Sequence, residues 1–170
     1  STQGDTLKKL SDGLVGYWKE DETTNGAAAS DSSGNGTSLT DTGVVVRAGG
    51  KFANAGDFEL ASSQYQSVTD NAVLSITGST TLTAWINPET VSAGSYNIIA
   101  KWDGANESYR LFQNGDEIRI ELDSSGNYQE TTASNLAAST LYHVVGVYDS
   151  TSATAKIYIN GTEATSTTTG

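Results

Sequence analysis

The chain has no cysteine, no methionine, one proline and one histidine among its 170 residues. Without cysteine there can be no disulfide, no thiol nucleophile and no thiolate zinc site. Secreted eukaryotic domains often carry some, so the lack favours a prokaryotic or viral source. A single histidine gives no basis for a Ser-His-Asp arrangement. A chain without methionine is expected to be a processed or excised piece of something longer, one that has lost a secretion signal, an anchor or a flanking domain. Long apolar runs are missing too: none approaches the ~20 residues of a membrane span, and the mean hydropathy is -0.35. Basic residues are scarce, with 9 Lys and Arg against 20 Asp and Glu and a net charge of -11. That excludes nucleic acid as the expected partner, since its binding needs Lys and Arg on phosphates. It equally excludes docking on anionic lipid. No Gly-rich phosphate loop precedes a helix.

What is present is a set of short β segments separated by turn residues. The length suits one domain with a real core. Residues 1–12, "STQGDTLKKLSD", read as a polar arm or linker, and 13–170 as the domain. "TLTAWINP" alternates Leu82, Ala84 and Ile86 against Thr81, Thr83 and Trp85. "DEIRIELD" sets Ile118, Ile120 and Leu122 on one face and Glu117, Arg119 and Glu121 on the other. "NIIAKW", "YHVVGVY" and "AKIYIN" follow the same style. "DSSGNG", "QNGDE", "DSSGNY" and "INGTE" are turns, and "QNGD" between Leu111 and Ile118 is a two-residue hairpin signal. No helical stripe is present. The expected fold is all-β, an antiparallel sandwich or barrel. The sequons at Asn35, Asn106 and Asn160 are what chance gives in a chain so rich in Asn, Gly, Ser and Thr.

"GLVGYWKEDETTNGAAASDSSGNG", "GKFANAGDFELASSQYQSV", "TLTAWINP", "NIIAKWD" and "YHVVGVYDSTSATAKIYINGTEA", in that order, resemble the concanavalin A-like lectin/glucanase superfamily. The nearest branch is the laminin G-like, pentraxin-related jelly roll of bacterial and metagenomic surface proteins. The resemblance runs from about Gly13 to Ala164. It implies an antiparallel jelly-roll β-sandwich in which "VGYW" opens the first strand and Trp18 fills core. Trp85 is expected to pack rather than to offer a sugar platform. His143 matches the histidine of the family's "W-Y-H-V" strand, with Leu141 where the family often has Trp. In the family, "IYINGTEA" is followed by a "hxIG" strand and a closing strand of the type "GxIDEVRIYNRAL". Neither is found here, where the chain ends in a threonine-rich stub. The alternatives are a part that the given chain omits, a strand donated by another subunit, or closure by the N-terminal arm.

Glycosidases of the superfamily need two carboxylates flanking the scissile bond. The nearest pattern is Glu117-Ile-Arg119-Ile-Glu121, in which the arginine is expected to pair with both glutamates and lower their pKa values, the wrong direction for a general acid. "EDE" at 20–22 places neighbours on opposite faces. The chain is therefore expected not to be an enzyme. Calcium is the candidate cofactor, since hard cations take oxygen ligands from loops. Asp103, Asn106 and Glu107 form one candidate set, similar in position to a laminin G rim loop. Asp21, Asp31 and Asn35, with Glu22, form another. For a glycan, Trp102, Tyr96, Tyr109 and Tyr128 are the candidate stacking residues near loops.

These readings point to an extracellular or cell-surface recognition and adhesion module that binds carbohydrate or another surface through rim loops with calcium assistance. The alternative is a structural subunit or decoration of a surface filament or virion, self-assembling or completed by a strand-donating partner.

Overall fold

The structure, a computed structural model, describes residues 11–102, 108–124, 127–164 and 167–169, with backbone alone described at 123–124, 127–134 and 167–169. It is all-β, and the only helical turns among the described residues are the 3-10 turns Leu60–Ser62 and Ala72–Leu74. The chain divides into two compact units, Ser1–Leu74 and Ser75–Gly170.

The first unit holds two small antiparallel ribbons. Strand β1 (Thr40–Thr42) pairs with β4 (Tyr65–Ser67), and β2 (Val46–Gly49) with β3 (Asn54–Asp57). "VGYW" opens no strand: it contributes one isolated bridge, Trp18 to Asp31. Trp18 is half-buried rather than a core residue. A Cβ on Gly16 would lie 2.4 Å from the Trp18 ring, and the indole Nε1 donates to Thr37 O at 2.7 Å. The fully buried side chains of this unit are small, Ala29, Thr37 and Val45. Phe52, Leu60 and Val44 stay 84%, 72% and 61% exposed. Polar side chains therefore hold its loops, as described below.

The second unit is the sandwich. One sheet runs β12 (Thr162–Glu163), β11 (Thr154–Ile159), β10 (Tyr142–Asp149), β5 (Thr80–Ile86). The other runs β13 (Thr167–Thr169), β9 (Asn127–Ser134), β8 (Glu117–Ser124), β7 (Tyr109–Asn114), β6 (Ser95–Lys101). All pairings are antiparallel. Among the described residues β5 pairs with β10 on one side. The threonine-rich end is a strand after all: Thr167–Thr169 pairs with Thr132 to Glu130 of β9.

Local chemistry sets the hairpins. Asn114 opposes Glu117, so Gly115 and Asp116 make a two-residue loop, with Gly115 at φ +63°. Ile159 opposes Thr162 across Asn160 and Gly161, whose φ values of 52° and 79° are those that such a tight hairpin demands. A bulge between Asn97 and Ile99 lets Ile98 and Ile99 both pack on the core.

The period of two does the rest. Leu82 and Ile157 flank Gly146 on neighbouring strands, and across the sandwich lie Leu111, Ile118, Ile120 and Leu122. A Cβ on Gly146 would meet Ile120 Cδ1 at 2.9 Å, and Ile120 Cβ and Leu111 Cδ1 at 3.1 Å each. Glycine thus sits where the facing side chains leave no room for a Cβ. Gly146→Ala is expected to cost about 1–3 kcal/mol by overpacking. Gly78→Ala, whose added Cβ meets nothing nearer than 4.0 Å, is expected to stay within about 0.5 kcal/mol of the parent. Urea unfolding of both variants measures the difference.

Candidate functional site

Three clusters bear on function. The first lies on the outward face of the five-stranded sheet, where Arg110 stands opposite Glu121, Phe112 opposite Arg119, and Asn114 opposite Glu117. Arg119 donates to Glu117 Oε2 from Nε at 2.9 Å and Nη2 at 2.7 Å. Glu121 pairs instead with Arg110 Nε. This corrects the expectation that Arg119 serves both glutamates. A residue directly opposite on the next strand lies closer than one two positions along the same strand, so Arg110 takes Glu121. The Arg110 guanidinium also stacks over two rings, 4.5 Å from the Trp102 centroid and 4.0 Å from that of Phe112.

That stack changes the reading of the candidate aromatics. Trp102 is half-buried and has its ring under Arg110, so it is a structural partner of the ion pair. Tyr109 is only 5% exposed and belongs to the core, which removes it from any sugar surface. Its odd-numbered position on β7 shares the face of Leu111, opposite Leu122. Burial also raises its hydroxyl pKa. Tyr96 is half-buried on β6, with its hydroxyl over Gly94, where a Cβ would lie 2.6 Å away. Tyr128 lies on β9 opposite Asp123, but its side chain is outside the described residues. Replacing Arg110 by Ala leaves the 5% exposed Glu121 without its arginine and uncovers both rings. The expected loss is about 3 kcal/mol in urea unfolding.

The second cluster contains the candidate calcium ligands of the first unit. Asp31 accepts from Tyr17 N at 3.1 Å, Ser33 N at 2.8 Å, Ser33 Oγ at 2.8 Å, Thr37 N at 3.1 Å and Thr37 Oγ1 at 3.0 Å. Asn35 spends its Nδ2 on Leu14 O at 3.1 Å and Val15 O at 3.2 Å. Asp21 is exposed. Glu22 Oε1 accepts Ser30 N at 2.8 Å, and Arg47 reaches Glu20 at 2.5 Å and Glu22 at 3.6 Å. The two glutamates of "EDE" thus converge on one buried guanidinium. A carboxylate has about four lone-pair sites, and five donors already fill those of Asp31. The set does not fit a cation, and Asp31 is a loop staple. Asp103, Asn106 and Glu107 lie outside the described residues.

Partial burial raises the Asp31 pKa, but the hydrogen bonds from Ser33, Thr37 and Tyr17 outweigh it and hold the carboxyl well below the usual range. A depressed folded-state pKa contributes stability above the unfolded value of about 4 and loses it as pH falls below that. Asp31→Asn is expected to cost about 1–2 kcal/mol at neutral pH and to flatten the acid limb of stability. The loss should be equal in calcium and in EDTA, as read from thermal unfolding across pH. A loss confined to the calcium arm would restore Asp31 as a ligand.

The third cluster lies on the outward face of the four-stranded sheet. Trp85 stands opposite His143, Thr83 opposite Val145, and Thr81 opposite Val147. The Trp85 and His143 rings are 5.0 Å apart at an interplanar angle of 32°. Thr83 Oγ1 holds His143 Nε2 at 2.9 Å. Trp85 remains 43% exposed, so it is no core residue. The alternation of "TLTAWI" carried this signal: with Leu82, Ala84 and Ile86 inward, Trp85 has to point out.

A family profile described as the concanavalin A-like lectin/glucanases superfamily, of laminin G type, matches residues 60–170. No curated protein matches the chain. The match covers both sheets of the sandwich, and the chain belongs to the concanavalin A-like lectin/glucanases superfamily.

Proposed function

We propose that the protein is a non-catalytic recognition and adhesion module that binds carbohydrate at the cell surface or outside the cell. Laminin G-like domains are typically non-catalytic and usually extracellular, and the family suggests carbohydrate binding or adhesion. One observation carries the reading for this chain. The closest match to the superfamily's catalytic acid pattern, Glu117 and Glu121, is tied up residue by residue with Arg119 and Arg110. An acid–base pair must exchange protons with a substrate across a cleft. Here the carboxylates instead hold a sheet face together. Half-exposed aromatics beside hydroxyls remain as the chemistry on offer, which suits stacking on a sugar ring. The net charge of -11 favours neutral over polyanionic glycans. Calcium belongs to the proposal through Asp103, Asn106 and Glu107, whose oxygen chemistry suits it.

An immobilised glycan panel tests this, probed with the whole chain in calcium and in EDTA, with reducing ends assayed in parallel. The expected outcome is retention on at least one neutral glycan with no new reducing ends. Release of reducing ends that Glu117→Gln or Glu121→Gln abolishes would overturn the non-catalytic reading. Failure to bind any glycan would overturn carbohydrate recognition. Equal retention in EDTA would remove calcium from the proposal.

A further inference from the structure

We infer that the outward face of β5 and β10, centred on Trp85 and His143, is the carbohydrate-binding surface, taking one ring of a neutral hexopyranose chain. The inference rests on the recognition reading above and names its site.

A pyranose presents an apolar C–H face bordered by hydroxyls, so its receptor needs a flat ring edged by small hydrogen-bonding groups. This face supplies both. Trp85 is the largest side chain on the outward side of β5, 43% exposed, and it follows Thr81 and Thr83 on the same side of the strand. His143, its direct neighbour on β10, meets the indole at 5.0 Å and limits its rotation. Thr83 Oγ1 fixes the imidazole through Nε2, so the order of the cluster precedes any ligand. That lowers the entropy cost of binding. Nδ1 of His143 makes no hydrogen bond among the described residues and is left to serve a sugar hydroxyl.

The backbone under the pair is equally fixed. Asn160 Oδ1 accepts His143 N at 2.9 Å and Asn160 N donates to His143 O at 2.8 Å. Lys156, the one lysine on this face, is ion-paired with Glu163 at 3.1 Å. Among the described residues this face offers no lysine beyond that pair for a carboxylate or sulfate, and the charge of -11 opposes polyanions. The ligand is therefore neutral. The other aromatic candidates compete poorly: Tyr109 is core and Trp102 is covered by Arg110.

Laminarihexaose and cellohexaose are the neutral probes, with polygalacturonate as the charged control. Intrinsic fluorescence of the double variant Trp18→Phe/Trp102→Phe reports on Trp85 alone, and calorimetry gives affinity. One neutral probe is expected to bind and shift that emission, with polygalacturonate inert. Trp85→Ala should weaken binding at least about tenfold, His143→Ala by a smaller factor, and Trp85→Phe should restore most of it. Unchanged circular dichroism in each variant separates loss of site from loss of fold. Neutral-glucan binding that survives Trp85→Ala would overturn the platform and leave the recognition reading standing. Retention on the glycan panel without binding of either hexaose would do the same. A chain that binds nothing on the panel and neither hexaose removes both.

Discussion

The close approach of the two sheets at Gly146 is the constraint on which the sandwich depends. Ile120 and Leu111 come so near to β10 that no Cβ fits without displacement. Side chains on a strand alternate strictly. Once Gly146, Val144 and Tyr148 are committed inward, His143 and Val145 must face out. Register then transmits that choice to β5, placing Trp85 beside His143 and Thr83 beside Val145. The binding face proposed above is the reverse side of the core, set by the same packing.

The first unit is held differently. Its buried side chains are few and small, and its large apolar residues are largely exposed. Asp31 and Asp41 gather loop N–H groups, and Arg47, with a side chain 2% exposed, gathers Glu20 and Glu22. These staples answer acid in opposite ways. Asp31 is stabilised as an anion, so its contribution fades as its carboxylate is protonated. Burial raises the Glu20 carboxyl despite Arg47. The cost of ionising it is therefore absent below its ordinary range and present once pH exceeds its raised value. A buried ion pair of this kind fixes geometry more than it adds free energy.

What could be read from the sequence follows from which forces are local. A hairpin at "QNGD", the Asn160-Gly161 turn and the alternation of Ile118, Ile120 and Leu122 depend on residues near in sequence and are legible there; that the loop residues are Gly115 and Asp116 comes from the register. Of these, only the Asn160-Gly161 turn lies within the segments that carry the family resemblance. The identity of an arginine's partner depends on register between strands, so sequence spacing points Glu121 to Arg119 when Arg110 holds it. Tyr109 looked like a loop aromatic because the start of β7 could not be placed; one residue of shift sends a side chain to the other face. "VGYW" has strand composition, but Gly16 under the Trp18 ring and the Asp31 staple leave it only a single bridge. Trp85 departs from expectation for a different reason. Its alternation with Leu82, Ala84 and Ile86 is legible, but a place on a strand does not tell a packed ring from an exposed one.

The two outward faces of the sandwich carry different chemistry. On the five-stranded face, acids and bases alternate across β7 and β8 and neutralise one another around Phe112, which is 2% exposed. Charge there is consumed in covering an outward phenylalanine, so the carboxylates that a glycosidase would keep poised are part of a structural lattice. On the four-stranded face the outward positions of β5 are threonine, threonine and tryptophan. None of these three side chains is charged, and Trp85 is 43% exposed. A single exposed aromatic is ordinary on a protein surface; Trp85 differs in having His143 stacked beside it and that imidazole held by Thr83. That prior ordering is what the proposed stacking surface would use.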